Sequence, residues 1–269
     1  EYVNSFARGE GLSDYLELIR ASKDAVDIPV IASINCASDR VWPEFAARIQ
    51  EAGADALELN IYVPSGAFQQ SLSSPSHRAP VEERHLRILD EVHKVVDIPV
   101  AAKLGFYLSD LRNFVPQLCR SGASGVVLFN RYYRPDIDID SLRVVSDAVL
   151  SAPEEITLSL RWVALLSQTA ECDLVGATGI HDYRGVAKHL LAGARAVQLC
   201  TTLFKHGPSV IERILDDLES WMEQHNFASL DQFRGMMVRD HSMASAFERV
   251  QYMKKSREEY PGARVNGRE

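Results

Sequence analysis

Cys172 to Leu203, CDLVGATGIHDYRGVAKHLLAGARAVQLCTTL, is the stretch that decides the fold. Two short apolar runs, CDLVG and AVQLC, flank the amphipathic segment Arg184 to Leu191, which spells strand, turn, helix, strand, turn. The first run leads into Gly176-Ala177-Thr178-Gly179 and the second into Cys200-Thr201-Thr202. Both turns carry little side chain and present backbone N–H groups at a helix start, where the partial positive charge suits a dianion. A single turn of this kind is more often a helix cap. A pair on consecutive strands near the end of a strand and helix series predicts a phosphate cup, because barrel phosphates sit after the last strands.

The same signature recurs along the chain. AGADALEL begins at Ala52, SGASGVVL at Ser121 and AGARAVQL at Ala192, with their glycines Gly53, Gly122 and Gly193 separated by 69 and 71 residues. VDIPV at Val26 returns at Val96. Each glycine suits a helix C-cap, and each apolar run suits a strand buried on both faces. The predicted strands are 28–35, 54–60, 98–104, 124–130, 172–176 and 196–200, and the predicted helices between them are Pro43–Ala52, Glu82–Val96, Leu108–Arg120 and Arg184–Leu191. Even recurrence of βα units predicts an α/β fold, a (β/α)8 TIM barrel whose first two strands precede Glu1. The expected division is a partial barrel over 1–238 and a helical extension over 239–269. Ile156–Leu160 is weighed as a short strand, but is placed by preference in the excursion before a helix at Trp162–Thr169. After the last strand, Ser209–His225, Leu230–Met237 and Ala244–Lys255 are expected to be helical.

With 269 residues, 46% of them hydrophobic and 25% charged, one large domain can bury a sizeable core. A net charge of -8 and a pI near 5.5 argue against a nucleic-acid footprint, and no apolar run is long enough to cross a bilayer. Cys36, Cys119, Cys172 and Cys200 are far apart without a CxxC, which predicts reduced thiols in a cytosolic protein and no metal site. The expected partner is a small molecule, and homodimerisation is left open.

In a barrel the strand tips meet on one face. Here they carry Asn35, Asn60, Lys103, Asn130, Thr178-Gly179 and Cys200-Thr201. The carboxamides suit a planar ring with alternating C=O and N–H groups, and Lys103 suits negative charge that develops on such a ring. Two long connections, Ile61–Glu82 and Arg131–Asp140, follow strands on that face and are expected to be binding loops.

IPVIASINC, EAGADALELN, PVAAKLG, GVVLFN, GATGIHDYRGVAKHLLAGARAVQLCTTLFKHGP and SLDQFRGMM together resemble the dihydroorotate dehydrogenase family over roughly residues 28 to 238. That resemblance implies an FMN-dependent oxidoreductase of pyrimidine metabolism, moving hydride between flavin and a dihydropyrimidine-like ring. It implies Asn35 near the flavin, Lys103 on the flavin N1/O2 edge, Asn60 and Asn130 lining the flavin and substrate pocket, and Thr178, Gly179, Cys200 and Thr201 on the phosphate. Where the family carries a Cys or Ser base this chain has Val63, and Ser65 stands where a substrate-binding Asn is expected, which leaves Tyr62 and Ser65 as candidate bases. The family's glycine pair is replaced by ITLSLRW, with Arg161 at a position that is commonly basic. Two alternatives stand beside this reading: a Schiff-base lyase using Lys103, and a flavin-binding relative with little turnover. The lyase has no strand-end carboxylate to work with except Glu58.

Overall fold

The protein is described by a computed structural model covering residues 10–36, 38–61, 81–131, 135–146, 149–240 and 247. Helix α1 (Glu10–Ala25) leads into β1 (Ile31–Ile34), and the alternation then runs α2 (Trp42–Glu51), β2 (Ala56–Asn60), α3 (Val81–His93), β3 (Val100–Leu104), α4 (Leu111–Arg120) and β4 (Gly125–Leu128). An antiparallel hairpin follows, β5 (Asp136–Asp138) with β6 (Arg143–Val145). The chain resumes with α5 (Ile156–Leu166), β7 (Asp173–Ala177), α6 (Tyr183–Leu191) and β8 (Ala196–Gln198). Helices α7 (Thr201–His206), α8 (Ser209–Gln224) and α9 (Leu230–Phe233) complete the described part.

All six expected strands form one parallel sheet in the order β1-β2-β3-β4-β7-β8, a partial (β/α)8 barrel. Its outward side chains are buried against the helices: Ala32, Ile34, Leu57, Leu59, Val100, Ala102, Leu104, Val126, Leu128 and Leu174 all belong to one core. Strands covered on that face by helices need apolar residues there at every second position, which helps make them legible. A second cluster joins α6, α8 and α9 through Val186, Leu190, Val210, Ile214, Leu218 and Phe233. The recurrent glycines do what their spacing predicts. Gly53, Gly122 and Gly193 have φ of +96°, +102° and +107°, each turning the chain from a helix end into the next strand.

The sheet curls far enough for distant strands to touch. Glu58 on β2 and Gln198 on β8 have three strands between them in the sheet order, yet Gln198 Nε2 donates to Glu58 Oε2 at 2.5 Å across the lumen. On the side of β1 away from β2, the Ser33 peptide is satisfied by a side chain. Its N–H donates to Tyr15 Oη at 2.9 Å, and Tyr15 donates back to the Ser33 carbonyl at 3.0 Å.

Three expectations are corrected. Cys119 and Cys172 are not reduced thiols: they form a disulfide between the end of α4 and the start of β7, with Cα atoms 5.3 Å apart. Packing of neighbouring βα units brings them together, which the 53-residue separation hides. Ile156–Leu160, placed by preference in the excursion before a helix at Trp162–Thr169, is itself the first half of α5, which also rules out the short strand. Part of Arg131–Asp140, expected to be a loop, is the first strand of the β5–β6 hairpin. Most of the Ile61–Glu82 connection, including Tyr62, Val63 and Ser65, lies outside the described residues, as does the expected helix Ala244–Lys255 apart from Phe247.

Candidate active site

Parallel pairing fixes the level of each strand tip. Asn60 stands opposite Lys103, Lys103 opposite Val127, and Leu128 opposite Gly176, so Lys103 and the turn at Thr178-Gly179 belong to the same carboxyl end of the sheet. Asn130 follows β4 and donates from Nδ2 to Asn60 Oδ1 at 2.5 Å. Its backbone N–H donates to the Leu104 carbonyl, which holds the tip of β4 against β3. Two carboxamides therefore face each other over the strand that carries Lys103. Asn35 is exposed beyond β1.

Lys103 points into the lumen, where its side chain is 19% exposed. Its Nζ donates to Gln198 Oε1 at 2.8 Å and lies 3.8 Å from Glu58 Oε1. Glu58, 4% exposed, also accepts from Ser33 Oγ at 2.7 Å. Ser33 and Gln198 are not among the residues singled out from the sequence, and Glu58 figures there only as the one strand-end carboxylate open to a lyase. Strand periodicity was the available signal: Glu58, Asn60 and Lys103 share the inward parity of their strands, and a buried carboxylate calls for partners.

At the other end of the cluster, Thr178 and Gly179 both adopt left-handed backbone, with φ of +73° and +75°. Thr178 Oγ1 donates to the Phe129 carbonyl at 3.2 Å. Gly179 has a packing reason beyond its turn, since a Cβ there would lie 2.3 Å from the Ile156 backbone nitrogen. Thr201 and Thr202 are buried at the start of α7. Thr201 Oγ1 accepts from the Ser151 N–H at 3.0 Å and from Ser151 Oγ at 2.9 Å, and Thr202 Oγ1 donates to the His181 carbonyl. The Thr202 hydroxyl proton is thus engaged within the protein, and an anion here could use the first-turn N–H groups, which have no intrahelical partner. Cys200 is exposed.

A cleft of about 650 Å³ opens beside this cluster, between Phe106, Phe129, Asn130, Ala177, Thr178 and the 152–159 segment. Glu154 and Glu155 also line it. Glu155 is neutralised by Arg131, whose Nε donates to it at 3.0 Å, and Glu155 Oε1 accepts from the Ala152 N–H at 2.8 Å. Arg131 further donates to the Val149 and Leu150 carbonyls, so one guanidinium ties the tip of β4 to the segment that leads into α5. Among the described residues no group of acidic, His and Cys side chains could hold a metal ion, and no helix is long and apolar enough to cross a membrane.

The family model described as dihydroorotate dehydrogenase matches residues 4–222. The chain belongs to the dihydroorotate dehydrogenase family. Among similar proteins is the dihydroorotate dehydrogenase B (NAD(+)) catalytic subunit of Thermoplasma acidophilum, 29% identical over 249 residues, covering 89% of this chain and 80% of that protein. The subunit of the same name from Methanothermobacter thermautotrophicus is 29% identical over 227 residues, covering 82% and 73%. The chloroplastic dihydropyrimidine dehydrogenase (NADP(+)) of Arabidopsis thaliana is 24% identical over 238 residues, covering 81% of this chain and 54% of that one. As a dihydroorotate dehydrogenase-type protein, the chain is an oxidoreductase, and the family is generally flavin-dependent.

The donor set suits a flavin at both ends. Two amides and an ammonium are the right groups for a flat ring of alternating acceptors and donors, and a glycine turn beside a helix start suits its phosphate. At the phosphate end the Thr201 Oγ1 accepts from Ser151, and the contribution expected of Thr201 is its backbone N–H.

Proposed function

We propose that this chain is an FMN-dependent dehydrogenase that exchanges hydride with a small dihydropyrimidine-like ring. The observation that carries this reading is the meeting of Asn60, Asn130 and Lys103 at one end of the sheet, above a lumen bridged by Glu58 and Gln198. Bound FMN would supply the two-electron chemistry. Lys103 would stabilise negative charge on the N1/O2 edge of the ring, and the paired amides of Asn60 and Asn130 would orient ring and substrate. Asn35 would approach the ring from the β1 side. Thr178, Gly179, Cys200 and Thr201 would hold the phosphate through N–H groups. Proton removal from the substrate falls to the Ile61–Glu82 connection, where Tyr62 and Ser65 are the candidates and Val63 cannot serve.

The substrate class follows from the relatives' names, and dihydroorotate is the first compound to try. Protein reconstituted with FMN and freed of excess by gel filtration should retain the yellow chromophore, which anaerobic dihydroorotate should bleach. Lys103→Met should lose FMN affinity by at least about tenfold, the effect of removing one charge-assisted contact. Protein that keeps no FMN would end the proposal. FMN that stays oxidised with dihydroorotate but is reduced by another dihydropyrimidine would change only the substrate.

A further inference from the structure

Lys103 does not stand alone in the lumen. Its ammonium donates to Gln198 Oε1 at 2.8 Å, the same amide donates from Nε2 to Glu58 Oε2 at 2.5 Å, and the second Glu58 oxygen accepts from Ser33 Oγ at 2.7 Å. The amide can sit only one way round, because flipping it would turn N–H groups toward the ammonium and the carbonyl toward the carboxylate. Ammonium, amide and carboxylate thus form a directed chain contributed by β3, β8 and β2. Glu58 is 4% exposed, and a carboxylate so buried needs a counter-charge. Lys103 Nζ, 3.8 Å away, provides it.

We propose that Glu58 is a positioning residue that acts on the flavin site in two ways, by placing the Lys103 ammonium and by its own opposing charge. By way of Gln198 it fixes where the ammonium sits, and its own charge tempers the positive field that Lys103 offers to the ring. The balance sets how much more tightly the pocket holds reduced, anionic FMN than oxidised FMN. This rests on the FMN reading above but goes beyond it: contact with the ring belongs to Lys103, and the strength of that contact is assigned to a residue on another strand. A purely structural role for Glu58 predicts a different outcome, since damage to the lumen would weaken binding of both forms and leave their ratio unchanged, whereas removal of the opposing charge strengthens preference for the reduced form.

The test is a pair of anaerobic titrations of the apoprotein, one with oxidised FMN and one with dithionite-reduced FMN, read as the ratio of the two Kd values. Glu58→Gln retains a polar side chain of the same shape and removes the charge. It should raise the oxidised-to-reduced Kd ratio about tenfold, in keeping with one newly uncompensated charge in a partly buried site. Lys103→Met should lower the ratio below wild type, and Lys103→Met/Glu58→Gln should recover part of that loss. The double variant leaves no lone buried charge, so it keeps the question answerable if Glu58→Gln does not fold. An unchanged or lowered ratio in Glu58→Gln that still binds FMN, or no recovery in the double variant, overturns the role of Glu58 and leaves the FMN proposal intact. A wild-type protein that binds neither form overturns both.

Discussion

Single residues carry more constraint here than their types suggest. Gly179 is a turn glycine by sequence, but its position is set by the Ile156 backbone pressed against the place where a Cβ would be. Because the neighbour is main chain rather than a side-chain tip, it has no rotamer with which to give way. Gly179→Ala also meets a φ of +75°. We expect it to lose about 3 kcal/mol of stability, the combined scale of backbone strain and overpacking, as measured by denaturant unfolding; a loss below about 1 kcal/mol would show that the loop and α5 can separate freely. The tip residues Asn35, Asn60, Lys103, Asn130 and Thr178 were legible because a parallel strand ends where its apolar run ends. Glu58, Gln198 and Ser33 were not, because their meaning depends on how far the sheet curls, a property of packing that no local pattern records.

Elements show the same division between local and distant causes. Helices and strands fell close to expectation wherever hydrophobic period and a C-cap glycine agreed, and ends shifted by a few residues. The 131–170 region resisted. RPDIDID has the alternation of a strand, but its apolar members lie in the open, Ile137 at 65% exposure and Val144 opposite it at 76%, so no buried face announced the hairpin. The Cys119–Cys172 link was equally invisible, since it depends on α4 ending beside the start of β7. By chain entropy, a crosslink over 53 residues contributes about 4 kcal/mol, which makes a loss of about 2–4 kcal/mol the expected result of Cys119→Ser/Cys172→Ser. Guanidinium unfolding with and without reductant checks this, and identical midpoints would mean that the link adds nothing. Cys36, whose thiol burial pushes up to about 12, should stay unreactive toward a thiol reagent as long as the protein is folded.

For the molecule as a whole, buried histidines set an acid limit. Burial holds His85 and His189 below their ordinary value of 6.5. His189 Nδ1 donates to the Gly185 carbonyl and its Nε2 faces Ser159 Oγ, both at 3.0 Å, an arrangement suited to the neutral ring. With folded values depressed, the unfolded chain binds more protons as pH falls past 6.5, so stability is complete above that point and declines below it. Asp55 adds a second, lower step: hydrogen bonds from Lys23 and the Val30 N–H hold it below its ordinary 3.8, and that contribution fades as acid protonates it. Thermal unfolding should therefore show a Tm that is flat above about pH 7 and falls between about pH 6.5 and 5. A Tm constant over that lower interval would contradict the buried, neutral assignment.

The Tyr15 hydroxyl on the Ser33 peptide has a social consequence. An open strand border invites other chains to zip onto it, which is how soluble sheets become fibrils. By answering both the N–H and the C=O of Ser33 with one phenol from α1, the chain takes one rung of β1 out of reach of any further strand.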